Sequence, residues 1–460
     1  MAAPYGYVLS NEPVPFTIDG SEAVVTVTQY NMPQKGQLTI TKTGEVFASV
    51  QENDGLYQPV YEVMGLPGAV YDVIADEDIY TGDGTLRAAK DTVVETLTTG
   101  EDGTPRVGFL PGTLPFGGTP GAGGMVLNTQ PEYAELTYAG ETVEVTQTVI
   151  GLYDERQKVD VSLFKALETD NLFGLGMNEE YKDISFGLYA SADLTALDGS
   201  VIPAGGLLEV VSVDPNEAGG YDASFASDLP FGSYYVKERT TNSAYILSDT
   251  EYPVVFEYAG QDMALVQILV NEGEAISNDL LRGRVDGVKI GENPEGGEDV
   301  KLAGVLMGLF RPDTEEFTGE NALITVTTGE DGSFAFENIP YGHWIVKEIS
   351  SPALYTISPQ QHHIYIGVDG QSIEIKVENT LIRGSVQVMK TEAVDEPSSV
   401  KKEDGDNNTF LRFLSGAVFD LYEDTNGNKE FDSEDTKIGT LKESDAAITP
   451  RRVFWQRATL

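Results

Sequence analysis

Cysteine is absent from all 460 residues, so neither disulfides nor thiolate chemistry can be invoked. Basic residues are scarce: 29 Lys and Arg stand against 74 Asp and Glu, a net charge of −45. That balance excludes a nucleic-acid role, because phosphate binding needs a basic surface, and it favours a self-repelling, extended protein. Histidine occurs only as His343, His362 and His363. The adjacent pair falls in a strand whose successive residues face opposite ways, so neither a metal site nor a catalytic base is expected there. No apolar run of about 18 residues marks a membrane span. Residues 1–11 lack the charged and apolar regions of a signal peptide. No G-x-S-x-G, Cys-His pair, phosphate loop or dinucleotide fingerprint occurs, and no cofactor is implied. Carboxylates are too abundant for their proximity to indicate glycosidase chemistry.

What is present is a supply of cores and a repeated grammar. Hydrophobic residues make up 40% of the chain, including 22 Tyr and 19 Phe, which is enough to fold. Period-2 alternation, punctuated by Gly, Pro, Asn and Asp, is the pattern of short strands and turns in β-sandwiches. One phrase recurs: V-E-N-T-L-I-R-G-S-V-Q-V-M-K at 377–390, S-N-D-L-L-R-G-R-V-D-G-V-K at 277–289 and Y-N-M-P-Q-K-G-Q-L-T-I-T-K at 30–42. Each places an Asn (Asn379, Asn278, Asn31) at one fixed offset before a Lys (Lys390, Lys289, Lys42); Asp154 and Lys165 form a fourth copy with Asp as the first member. The copies lie about 100 to 125 residues apart, which implies tandem domains rather than a solenoid.

Two further phrases recur between the junctions. G-L-P-G-A-V-Y-D-V-I (65–74), I-S-F-G-L-Y-A (184–190), L-A-G-V-L-M-G-L-F (302–310) and L-S-G-A-V-F-D-L-Y (414–422) read as one strand type. L-P-F-G-S-Y-Y-V-K-E (229–238) matches I-P-Y-G-H-W-I-V-K-E (339–348). Parity then assigns faces. Leu38 and Ile40 fall in step with Lys42, Val159, Val161 and Leu163 with Lys165, Val285 with Lys289, and Val386 and Val388 with Lys390. Each Lys should therefore point inward. Glu238 shares parity with Tyr234 and Val236, Glu348 with Trp344 and Val346, and Asn379 with Ile373, Ile375 and Val377. Lys, Glu and Asn thus converge in one apolar core.

Such a constellation is equipped to form a Lys-Asn amide crosslink. Desolvation favours the neutral, nucleophilic amine and the protonated carboxyl. The Glu donates to the Asn carbonyl, polarises it for attack and relays protons as ammonia leaves. An Asp acceptor reacts with loss of water instead. The competing reading is a buried Lys-Glu ion pair beside an Asn, against which stand the desolvation cost of such a pair and the recurrence of the pattern.

Tandem modules with an early-strand Lys, a late Y-V-K-E and a terminal Asn resemble the collagen-adhesin B-type, or SpaA-like, prealbumin-like domains of Gram-positive surface proteins and pilins. The resemblance implies an all-β fold of tandem Ig-like sandwiches in an elongated array: a remnant at 1–35, in which residues 5–31, ending in the alternating V-V-T-V-T of 24–28, resemble the last strands of a module, then modules at 36–157, 158–281 and 282–383, and an unfinished module at 384–460. It assigns Lys165, Glu238 and Asn278 to one isopeptide bond and Lys289, Glu348 and Asn379 to the next, with Lys42 and Asp154 as the pair of the first module. Asn31 and Lys390 have no partner in the chain. The implied function is a covalently stiffened stalk of an adhesin or pilin at the bacterial cell wall, anchored by a sortase motif outside these residues and making a host protein or glycan a possible partner. Two other roles fit the same repeats. One is a ligand-binding head with residues 75–101 as its surface; the other is a set of accessory repeats of a secreted carbohydrate-active enzyme.

The first module departs from the pattern. At 109–128 it reads F-L-P-G-T-L-P-F-G-G-T-P-G-A-G-G-M-V-L-N, without a Glu and with a Gly/Pro content that disfavours a central strand. Lys42 and Asp154 are therefore expected to join less readily than the other two pairs. Near the other end, Asp424, Asn426, Asn428, Asp432 and Asp435 have the spacing of a calcium loop, but Lys429 replaces the Gly of its sharp turn, so a solvated acidic turn is expected. The tail 445–460 departs from the acidic style of the chain, as a fragment or mistranslated gene end would.

Overall fold

A computed structural model describes the chain except residues 23, 82, 83, 110, 111, 119–123, 386, 387, 389, 395–409, 414, 415, 442–451 and 455–460. Val386 and most of the 445–460 tail thus lie outside the described residues. The fold is all-β. Among the described residues the only helical segments are two single 3-10 turns, Glu180–Asp183 and Val270–Gly273. None is long and apolar enough to cross a membrane. The chain forms two compact units, one of Met1–Glu168, Gly176–Asn242 and Leu247–Asp279, the other of Thr169–Leu175, Ser243–Ile246 and Leu280–Leu460.

Three sandwiches share one plan. In the third, the lysine strand Arg282–Gly291 lies antiparallel to Ser333–Pro340 and parallel to the last strand, Gln371–Asn379. The facing sheet runs Ile324–Thr327, Leu306–Phe310, Gly342–Ser350, His362–Ile366. Alternation decides what lies between the sheets: Val285, Met307, Leu309, Phe336, Trp344, Val346 and Val377 are buried together. Burying a side chain such as Phe336 contributes about 2–3 kcal/mol. The second sandwich repeats this, with Lys158–Leu167 between Tyr221–Phe225 and the strands Leu265–Leu269 and Ile276–Asn278. Its facing sheet is Leu207–Ser212, Ser185–Ala190, Gly232–Thr240, Glu251–Phe256.

The first sandwich pairs Lys35–Asn53 in parallel with Val145–Asp154 and antiparallel with Arg106–Phe109. Its facing sheet is Glu132–Leu136, Gly112–Gly118, Val70–Ile74, Val93–Thr98. This corrects one expectation. Within the Gly/Pro-rich stretch, Gly112–Gly118 is a central strand, hydrogen-bonded on both sides in the place that Gly232–Thr240 and Gly342–Ser350 hold elsewhere. Pairing with two neighbours overrides poor strand propensity. Residues 75–101, the surface of the alternative binding head, include the strand Val93–Thr98 of this sheet.

A feature with no counterpart in the sequence reading extends the first sandwich. Lys35–Asn53 runs far beyond its core and turns back as Leu56–Gly65. The hairpin reaches the second sandwich of the same unit, where Leu56 pairs with Leu207 and where Phe47, Val50 and Tyr57 pack on the second core. Arg156, in the link between the two sandwiches, fastens the hairpin's base. Its guanidinium lies 3.8 Å from the centroid of the Tyr61 ring, its Nε donates to Glu45 Oε2 at 3.1 Å, and it forms an ion pair with Asp228. Arg156 is 6% exposed, but Glu45 and Asp228 are 33% and 47% exposed, so solvent screens the pairs and the stacked guanidinium contributes much of the stability. Arg156→Ala should cost about 2 kcal/mol and accelerate hydrogen exchange in Leu56–Gly65. Unchanged exchange and an unchanged unfolding midpoint would show that Arg156 holds nothing.

The flanking segments behave differently from the sequence reading. The alternating V-V-T-V-T before Asn31 forms no strand: Val24 and Val27 are exposed, and the pairing nearby is Tyr7–Val8 with Met32–Pro33. Alternation alone does not make a strand without an apolar surface and an edge to pair with. Asn31 Oδ1 accepts from the Ser10 amide at 3.3 Å, and Lys390 is exposed. Val388, expected to face inward, is exposed too.

Candidate functional site: buried lysine, acceptor and glutamate

In the second sandwich the lysine strand delivers Lys165 to the interior, where it is 1% exposed. Its Nζ donates to Asn278 Oδ1 at 2.6 Å and to the carbonyl oxygens of Ile276 and Ala166, each at 3.1 Å. Asn278 Nδ2 donates to Glu238 Oε1 at 2.8 Å and to Thr241 Oγ1 at 2.9 Å. The second carboxyl oxygen of Glu238 accepts from the Ser248 amide at 3.0 Å. Burial pulls the Lys165 pKa down to about 8, against the opposing charges of Glu238 and Asp279.

The third sandwich builds the same site. Lys289 Nζ donates to Asn379 Oδ1 at 2.5 Å and lies 3.3 Å from Glu348 Oε2. Asn379 Nδ2 donates to Glu348 Oε1 at 2.7 Å and to Ser351 Oγ at 2.8 Å, and the Ser358 amide donates to Glu348 Oε2 at 2.9 Å. Lys289 is fully buried, and burial lowers its pKa against the pull of Glu348 and Glu378.

Register explains why the triads assemble. Asn278 lies opposite Leu167 and Asn379 opposite Gly291, in each case two residues beyond the lysine and on its face. On the facing sheet Glu238 sits opposite Phe186 and Glu348 opposite Met307. The expected geometry is altered in one respect. The Glu carboxyl meets the amide nitrogen, the group that would leave, whereas the carbonyl oxygen faces the lysine. Sequence reading also overlooked the supports: the hydroxyls of Thr241 and Ser351 and the amides of Ser248 and Ser358, each pair at a common offset from its Glu. Comparing the two V-K-E phrases a little further downstream would have found them.

Another overlooked repeat shapes the lysine backbone. T-G-E-D-G occurs at 99–103 and 328–332. Gly103 and Gly332 have φ of +74° and +71°, and their carbonyls accept from the amides of Lys42 and Lys289 at 2.9 and 2.7 Å. A Cβ at Gly332 would lie 2.4 Å from the Lys289 carbonyl oxygen, so both the conformation and the approach require glycine.

The first sandwich brings Lys42 and Asp154 together. Asp154 lies opposite Gly44, again two residues beyond the lysine, and the two buried side chains form a direct ion pair. The Lys42 ammonium is 5.9 Å from the centroid of the buried Tyr71 ring. The residue opposite Tyr71, where the other sandwiches carry Glu, is Gly118.

Residues 291–381 match the family described as SpaA, prealbumin-like fold domain. The matched range falls on the third sandwich and contains Glu348 and Asn379. Similar solved structures include the Bacillus anthracis TIE protein, at 18% identity and a TM-score of 0.48 over 76% of this chain and 52% of that one. This chain therefore spans about half the length of the TIE chain. BcpA, the major pilin subunit of Bacillus cereus, is 15% identical with a TM-score of 0.33 over 76% of this chain and 100% of that one. The major pilin SpaD from Corynebacterium diphtheriae is 12% identical with a TM-score of 0.21 over 76% of this chain and 97% of that one. No curated protein matches the sequence significantly.

Among the described residues, no group of three or more His, Asp or Glu is placed to hold a metal. In the acidic loop, Asn426 and Asn428 donate to Asp432 Oδ2 at 2.9 and 2.7 Å, and Asp424 accepts from the backbone amides of Asn428 and Lys429. Lys429 adopts a φ of +62°, so the turn forms without the expected glycine. His362 is half-buried and His363 exposed, on opposite faces of their strand.

Proposed function

We propose that the chain is a structural stalk of a Gram-positive cell-surface adhesin or pilin, in which the second and third sandwiches are each closed by an autocatalytic isopeptide bond. Lys165 joins Asn278 and Lys289 joins Asn379. The division into modules at 36–157, 158–281 and 282–383, flanked by 1–35 and 384–460, belongs to the same reading. The observation that carries it is the pair of buried Lys-Asn-Glu triads in one register, each tying a first strand to a last strand.

The geometry suggests the steps. The neutral Lys Nζ attacks the Asn Cγ, forming the Nζ–Cγ bond. One Nζ proton passes through the Glu carboxyl to Nδ2, the Cγ–Nδ2 bond breaks, and ammonia leaves. The low pKa of Lys165 makes the amine accessible near neutral pH, and the Thr241 and Ser351 hydroxyls orient the leaving nitrogen. Each site turns over once. Tension applied along the chain then passes through an amide between the terminal strands.

Intact-mass measurement and peptide mapping of the full chain test this directly. The expected result is a loss of two ammonias from these sandwiches, with branched peptides joining Lys165 to Asn278 and Lys289 to Asn379. Full sequence mass with both lysines free would overturn the proposal.

A further inference from the structure

The first sandwich has a lysine and an acceptor in register but no Glu, and the sequence alone made that pair the least reactive. Its facing sheet carries a compensating change. In the other two sandwiches the strand pair over the lysine consists of a Glu opposite an apolar residue: Glu238 with Phe186, and Glu348 with Met307. In the first it consists of Gly118 opposite Tyr71. The carboxyl is missing from one strand, and a hydroxyl has appeared on its partner, directly across. Tyr71 is 4% exposed, its ring lies near the Lys42 ammonium, and the charge of Asp154 reaches it. Burial first, and then Asp154, push the phenol pKa upward, so the hydroxyl keeps its proton and can serve as a donor. Apart from its ion pair with Lys42, Asp154 Oδ1 accepts no hydrogen bond among the described residues.

We propose that Tyr71 replaces the missing Glu as the proton-relay residue of the first sandwich, so that Lys42 and Asp154 condense to an amide. This rests on the isopeptide reading of the other two sandwiches. The ammonium gives one proton to the carboxylate, leaving an amine and an acid. Nζ then attacks Cγ to form the Nζ–Cγ bond. A second Nζ proton passes through the Tyr71 hydroxyl to the departing oxygen, the C–O bond breaks, and one water leaves. Tyr71 finishes with its hydroxyl restored, and no other reactant is consumed.

The test follows Lys42-Asp154 joining over time in the full chain made by cell-free synthesis, with branched peptides quantified by mass spectrometry. The native chain should yield a Lys42-Asp154 peptide lighter by one water. Tyr71→Phe, which keeps the ring, should slow its appearance at least tenfold while the other two bonds form normally. Tyr71→Phe combined with Gly118→Glu should restore the rate, because residues directly opposite in an antiparallel pair share a face. Such rescue is not expected if Tyr71 only fills space. Gly118→Glu alone should accelerate joining, which keeps the proposal testable if Tyr71→Phe impairs folding. Equal rates in the native and Tyr71→Phe chains would overturn it. So would a native chain with two ammonias lost and Lys42 free, a result that leaves the stalk reading intact. Loss of water without loss of ammonia would instead remove the stalk reading.

Discussion

Glu348→Gln is expected to leave Lys289 and Asn379 unjoined and to lower the unfolding midpoint of the third sandwich by roughly 15–40 °C. The substitution keeps the size of the side chain and an acceptor for the Ser358 amide but removes the carboxyl that contacts the leaving nitrogen. The thermodynamic consequence follows from the loop that the bond closes. Lys289 and Asn379 are 90 residues apart, and in the chain-entropy description a crosslink over such a loop contributes about 4–5 kcal/mol. A sandwich of this size shifts by about 4–8 °C for each kcal/mol, which gives the stated range. Lys289→Met combined with Glu348→Gln should add little to the midpoint shift, since both changes remove one bond. A branched Lys289-Asn379 peptide in the Glu348→Gln chain, or a midpoint within a few degrees of native, would contradict the assigned role of Glu348.

The sites were legible because parity is a strong constraint. A strand has only two faces, so Val161, Leu163 and Lys165 share the buried one whatever the details of the sandwich. The lysine, acceptor and glutamate positions were all reachable this way. Other features depend on partners that no local pattern names. Gly112–Gly118 reads as a loop because propensity belongs to the segment, whereas the strand belongs to the pairing with Val70–Ile74 and Glu132–Leu136 on either side. The reverse error occurred before Asn31, where alternating valines found no sheet to cover. The docking hairpin was invisible for a related reason. Phe47, Val50 and Tyr57 are apolar residues in a strand like many others, and only the second core of the same unit distinguishes them. Tyr71 lies in a strand phrase like those of the other modules, and only the register that sets Gly118 opposite it gives its hydroxyl a role.

The second large effect concerns pH. In Asn278→Ala the acceptor is gone and Glu238 is kept, so Lys165 must remain a buried amine. Its proton is released near pH 8 in the native state but near 10.4 in the unfolded chain. Between those values the unfolded state binds more protons, so the variant's stability rises with pH; below about 8 both states are protonated and this slope vanishes. The rise is at most about 1.4 kcal/mol per pH unit, or about 3 kcal/mol across the window. In the native chain the same nitrogen is an amide and cannot titrate. Groups common to both proteins cancel in the difference, which isolates Lys165. Denaturant unfolding of both chains at pH 7 and pH 10.5 should therefore show the variant gaining on the native protein at the higher pH. Parallel profiles would mean that Lys165 is in the same chemical state in both, and the isopeptide bond at Asn278 would have to be abandoned.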